Sequence, residues 1–290
     1  MPLGKKPGRR ERIRGVPVVV TVRDLDLLRL VGLCRYIAVD QLARDLFPTV
    51  NRCRRRVRAL FNAGYCTITL VSSTRPNLVS LTRAGLRFLV DKEPGLAESV
   101  RLPGLLRLPA VDHHLLVVDA RLFAAALGEY RRSPLVAWSG PGGALHKELR
   151  FADHHLDPDA LAAFDVSGSR VVVAIEGCRG TESLPVIAGK LTRYVPLAAD
   201  GRLDALWFVV DAGPARRSAM ERLADDAGLG GWVRVLGRDH VVARPVRDLP
   251  ERDHRAASPN TATSYEAEEA ENLDESETDG RPWPPGPWTG

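Results

Sequence analysis

Cysteine is scarce in this 290-residue chain: Cys34, Cys53, Cys66 and Cys178, with no CxxC pair among them. That spacing argues against a zinc site or a disulfide framework, and a reducing cytoplasm is the expected compartment. Long hydrophobic runs are missing as well. No stretch approaches the ~20 apolar residues that span a bilayer, and no apolar segment of the signal-peptide kind follows the basic N-terminus. A soluble protein without a membrane partner is expected. The glycine-rich stretches at 140–143 and 228–231 lack a following GK[ST] or a GxGxxG frame, so no nucleotide site is indicated.

What is present is divided along the chain. Residues 1–92 hold 19 Lys/Arg against 6 Asp/Glu, a net of +13; residues 93–250 hold 19 against 20, a net of −1; residues 251–290 hold 3 against 10, a net of −7. A basic head, a neutral body and an acidic tail point to a polyanion partner for the head. The length predicts about two domains. The expected boundaries are a flexible basic arm over 1–20, a DNA-binding domain over 21–92, a linker over 93–110, an α/β domain over 111–249 and a disordered acidic tail over 250–290.

In the head, Thr21 with Asp24 has the form of a helix cap, and Leu25, Leu28, Leu30 and Val31 follow at helical spacing. VDQLARDLF reads as a second helix that Pro48 ends. Thr49 caps a third helix to about Ala63, with Val50, Cys53, Val57, Leu60 and Phe61 inward and Arg52, Arg54, Arg55, Arg56 and Arg58 on the other face. Two β-rich pieces follow, Thr67 to Val71 and Leu78 to Leu81, joined by a loop that contains Arg75. Three helices and a hairpin form the winged variant of helix-turn-helix, in which the third helix enters the major groove of duplex DNA. Asn51, Arg52 and Arg55 are expected at base edges, and Arg54, Arg58 and Arg75 at phosphates.

Beyond the linker, VDHHLLVVDARLFAAALGEY reads as an amphipathic helix and LVAW as a strand. Further strands are expected at 147–151, 159–166 and 171–175. A helix capped by Ser183 comes next, then the strand ALWFVVD, the helix PARRSAMERLADDAG, and strands WVRVL and HVVAR. The order is α-β-β-β-α-β with an α-β-β extension, an arrangement similar to the restriction-endonuclease-like core. The fold class expected is mixed α/β.

The apolar run Val171 to Ile175 suits a strand covered on both faces, with Glu176 placed where it emerges. Lys190 and Tyr194, one helical turn apart, are positioned to point back at Glu176. A carboxylate facing a helical lysine builds metal-dependent phosphodiesterase sites, and it also builds inert ion pairs. A nuclease of this type needs a carboxylate in a Pro-Asp context, a second on the next strand and a lysine, the carboxylates holding Mg²⁺. Asp159 after Pro158, Glu176 and Lys190 are the candidates, with Asp159 and Glu176 as metal ligands if that chemistry operates; otherwise no cofactor is expected. The position two beyond Glu176, where such sites usually carry the lysine, is Cys178. The adjacent pairs His113–His114 and His154–His155 point in different directions within each pair, which favours structural roles. Tyr194 at helical spacing from Leu191 reads as core, and the absence of any His-x-His removes the metal-holding strand of a rolling-circle relaxase.

The winged helix with its LTRAG exit, HHLLVVDA, DPDA, IEGCRGTESL and KLTRY together resemble the replication-relaxation family, encoded by plasmids and other mobile elements of high-GC Gram-positive bacteria. The resemblance spans about residues 20–212, with RGTES…K…RY its most specific part. It implies a role in plasmid replication and relaxation of plasmid DNA, with double-stranded DNA and replication or relaxation proteins as partners. An acidic residue is expected at 178 in this family; Cys178 departs from it. The function expected is therefore duplex binding by the head beside a non-catalytic nuclease-like domain. A Mg²⁺-dependent DNA nuclease and a winged-helix transcriptional repressor are the alternatives.

Overall fold

The computed structural model describes residues 18–71, 75–104, 107–141, 143–149 and 156–243. The arm before residue 18, the acidic tail and the pair His154–His155 lie outside the described residues. The described residues fall in one compact unit, Met1–Leu249. It is a mixed α/β structure with a three-stranded and a five-stranded sheet. No helix among the described residues is long and apolar enough to cross a membrane.

The head begins with α1 (Val22–Cys34), whose first turn is closed by Asp24: its Oδ2 accepts from the Thr21 N–H at 2.6 Å and from the Thr21 hydroxyl at 2.7 Å. A short β1 (Ile37–Ala38), α2 (Val39–Leu46) and α3 (Val50–Asn62) follow, then β2 (Cys66–Thr69) and β3 (Leu78–Leu81). β3 lies between β1 and β2, antiparallel to both. Cys53, Val57, Leu60 and Phe61 of α3 are buried with Leu27, Leu28 and Val31 of α1 and Leu42 of α2. α4 (Arg83–Lys92) is capped by the Thr82 hydroxyl on the Gly85 N–H. Gly85 is required there, since a Cβ would stand 1.9 Å from the Tyr65 carbonyl oxygen. The glycine of LTRAG is thus a packing requirement between α4 and the start of β2.

Residues 93–110 carry the expected breaks, yet Val100 within them is 2% exposed and packs on Gly32 and Leu81 of the head. α5 (Val111–Tyr130) also adds Val118 and Leu122 to the head's core. Its Asp119, 1% exposed, accepts from Gln41 at 2.8 Å, from Arg44 of α2, and from Arg238 at 3.1 Å. α5 therefore serves both halves of the unit.

The large sheet runs β4 (Leu135–Ser139), β5 (Ala160–Val166), β6 (Ser169–Cys178), β7 (Ala205–Val210), β8 (Val233–Gly237) in spatial order. The first three are antiparallel, and β6, β7 and β8 are parallel. α7 (Leu184–Ala199) and α8 (Pro214–Asp226) are the helices of the two parallel crossovers. Two expectations are corrected. The strand read at 147–151 is instead the end of α6 (Ala144–Glu148), with 150–151 outside the described residues; HVVAR is not a strand but lies in α9 (Arg238–Ala243) as far as it is described. Both are short apolar runs, for which periodicity does not separate helix from strand.

Candidate functional site

Two charged clusters stand out. The first is the outer face of α3. Its apolar residues recur at helical spacing and turn into the core, which leaves Asn51, Arg52, Arg54 and Arg55 exposed. Among the described residues no carboxylate pairs with Arg52, Arg54 or Arg55; Arg54 reaches only the Asn51 side-chain oxygen, at 3.5 Å. Arg58 is half-buried with its guanidinium 5.2 Å from the centre of the Phe61 ring. Arg56 departs from the expected face. It is fastened to Asp24, which is fully buried, and to the Val19 carbonyl. Burial works to raise the Asp24 carboxyl, but Arg56 and Thr21 outweigh it and hold it below the usual carboxylate value. Arg75, expected at a phosphate, reaches Asp112 of α5 at 2.7 Å.

The second cluster surrounds Glu176. Alternation along β6 puts Val172, Ala174, Glu176 and Cys178 on one face, against Ile187, Leu191 and Tyr194 of α7. β6 does not end at Glu176 but runs two residues further, so the carboxylate lies inside the sheet, 4% exposed. Lys190 Nζ reaches Glu176 Oε2 at 3.0 Å, and the Tyr194 hydroxyl donates to Oε1 at 2.7 Å. Lys190 also meets Glu182 at 3.1 Å. Burial raises the Glu176 carboxyl, and nearby Asp159 raises it further; Lys190 and Tyr194 oppose this without cancelling it. Burial likewise works against the charge on Lys190, but Glu176 and Glu182 outweigh it and raise its pKa. Tyr194, fully buried, has its phenol pushed well up, first by burial and then by Glu176.

Asp159 stands just before β5. Its Oδ2 accepts from the Gly177 N–H at 2.8 Å and its Oδ1 from His113 Nε2 at 2.9 Å. That hydrogen bond is the largest cause of the raised His113 pKa, and burial opposes it. His114 points elsewhere, to the Tyr36 carbonyl at 2.8 Å.

Asp159, Glu176 and Lys190 are thus brought into one connected group, as their spacing suggested. Two members were missed: His113, which is 46 residues from Asp159, and Glu182, which lies inside RGTES. A tertiary contact over that separation leaves no spacing signal, whereas Glu182 was visible as part of the motif.

The group does not suit a resident Mg²⁺. A hard dication takes several oxygen ligands with open lone pairs. Here each of the four carboxylate oxygens already accepts a hydrogen bond from the chain's own Lys190, Tyr194, His113 or Gly177. The neighbouring Cys178 is 1% exposed and offers a soft thiol where a hard donor is needed. Among the described residues no group of three or more His, Cys, Asp and Glu converges as a metal site.

The energetics agree with a structural use. Burying Ile187, Leu191 and Leu197 is worth about 1.5–3 kcal/mol each. A buried ion pair adds little net stability. The apolar stripe therefore positions α7, and the polar group within it fixes what the site is able to hold.

A family model described as Replication-relaxation matches residues 28–205, more than half of the chain. No curated protein matches. A solved structure of restriction endonuclease FokI is similar over 80% of this chain and 47% of that one, at 12% identity and a TM-score of 0.31. The chain spans about half the length of that protein, and at that score the likeness carries no argument.

Proposed function

Because the chain belongs to the replication-relaxation family, we propose that it is a DNA-binding protein of a plasmid or integrative element, acting in plasmid replication and DNA relaxation. In this reading the head is a winged helix: α3 enters the major groove and the β2–β3 hairpin lies along the backbone. The observation that carries it is the exposed, single-signed face of Arg52, Arg54 and Arg55, uncompensated by any carboxylate among the described residues. Asn51, Arg52 and Arg55 reach base edges, and Arg54 and Arg58 reach phosphates. The α/β part, with its core order of helix, three antiparallel strands, helix and parallel strand, acts as a structural or partner-binding module for replication or relaxation proteins.

Fluorescence anisotropy with a labelled duplex tests this. Arg52→Glu/Arg55→Glu is expected to abolish binding while the thermal unfolding midpoint stays unchanged. Retained affinity would remove α3 as the contact helix.

A metal-dependent nuclease is the second reading. It is favoured by the meeting of Asp159, Glu176 and Lys190 in one hydrogen-bonded group. It ranks below the first because every carboxylate oxygen in that group is already engaged by the chain.

A further inference from the structure

The N-terminal end of α5 carries one carboxylate between two guanidiniums. Arg75, on the β2–β3 connection, lies 2.7 Å from Asp112 Oδ2, and Arg179, directly after β6, lies 3.2 Å from the same oxygen. Arg179 also donates to the Pro109 carbonyl at 3.3 Å. One carboxylate does not neutralise two guanidiniums. Asp112 moreover sits in the first turn of α5, where unpaired backbone N–H groups add partial positive charge. Exposed Arg107 lies two residues before Pro109. The cluster is net positive, and it is open: the side chains of Arg75 and Arg179 are 30% and 35% exposed.

Its position joins the two clusters already described. Arg75 belongs to the hairpin of the head. Next to Asp112, His113 holds Asp159, and Arg179 follows two residues after Gly177, whose N–H holds the same carboxylate. Guanidinium groups bind phosphate through paired, charge-assisted hydrogen bonds, so a phosphate competes directly with Asp112 for both arginines.

Resting on the reading of the head as a duplex-binding unit, we infer that Arg179 and Arg75 form a second phosphate-contacting surface, along which a duplex seated on α3 continues past the start of α5 toward the Glu176 centre. Asp112 is the internal anion that holds both guanidiniums until phosphate replaces it. The partner is the backbone of the same duplex beyond the stretch that α3 covers.

The test uses the full chain and labelled duplexes of about one and about three helical turns, ~10 and ~30 base pairs, across a salt series. Arg179→Gln is expected to leave the short duplex unaffected and to weaken the long one, lowering the slope of log K against log salt by ~0.9. Arg179→Lys should retain most of the long-duplex affinity. Asp112→Asn should strengthen long-duplex binding, and that gain should disappear when Arg179→Gln is added. Wild-type affinity of Arg179→Gln for the long duplex, or an equal loss on both lengths, would overturn the inference. Wild-type protein that binds neither duplex would overturn the reading of the head itself.

Discussion

The outer face of α3 and the surroundings of Glu176 are both rich in charge, and they use it in opposite ways. On α3, Arg52, Arg54 and Arg55 stand in solvent with no carboxylate against them among the described residues. Around Glu176, each charge is matched inside the fold by Lys190, Tyr194, Glu182, His113 or a backbone N–H. Charge left uncompensated at a surface remains available to a partner and costs little to keep hydrated. Charge taken into a low-dielectric interior must be answered locally, and once answered it has little left to offer a ligand. Arg55 and Arg56 repeat the contrast within one helix: the first is exposed, and the second is bound to buried Asp24.

The sharpest break of the comparison is charge reversal on the open face. Arg52→Glu/Arg55→Glu should lower duplex affinity by ~100-fold or more, measured by anisotropy, with unfolding unchanged. The reverse pattern is expected in the centre. Lys190→Met should leave duplex affinity intact but cost about 4 kcal/mol in denaturant unfolding, because it strands Glu176 in the interior. Adding Glu176→Gln should recover a large part of that loss. A smaller contrast separates the neighbours on α3: Arg56→Ala should cost about 2 kcal/mol of stability, and Arg55→Ala close to none.

The smallest effect is a difference in sign with pH. Asp24, held below its usual value, contributes stability that is present above an unfolded pKa of about 3.9 and is lost as pH falls through the folded value. Glu176, raised by burial, contributes in the opposite direction. Its folded form binds the proton more tightly, so stability declines as pH rises from an unfolded pKa of about 4.3 through the folded value. Urea unfolding of Asp24→Asn and Glu176→Gln across acidic pH should show the two slopes removed separately.

Much of this was legible before the structure. Caps at Thr21, Thr49 and Thr82, the apolar period of α3 and the buried run of β6 placed those elements, because each rests on local rules. The pairing of Lys190 and Tyr194 with Glu176 followed from the four-residue spacing on α7. What escaped were contacts between distant segments. Arg56 reads as one more arginine of a basic face until α1 is packed against it, and His113 reads as one of a histidine pair until α5 crosses β6. Gln41, Arg44 and Arg238 on Asp119 show why 93–110 reads as a simple connection in sequence, although the helix that follows it is tied to both halves. The short runs at 147–151 and in HVVAR carried too little period to separate helix from strand.

The central claim is that duplex DNA binds this chain through its open charge while its closed centre performs no cleavage. Supercoiled plasmid incubated with the purified full chain, in Mg²⁺, in Mn²⁺ and in EDTA, with Glu176→Gln alongside, tests both halves at once. The account predicts retarded plasmid in every lane that remains intact and supercoiled after the protein is removed. Nicked or linear product that depends on metal and is lost in Glu176→Gln would contradict it.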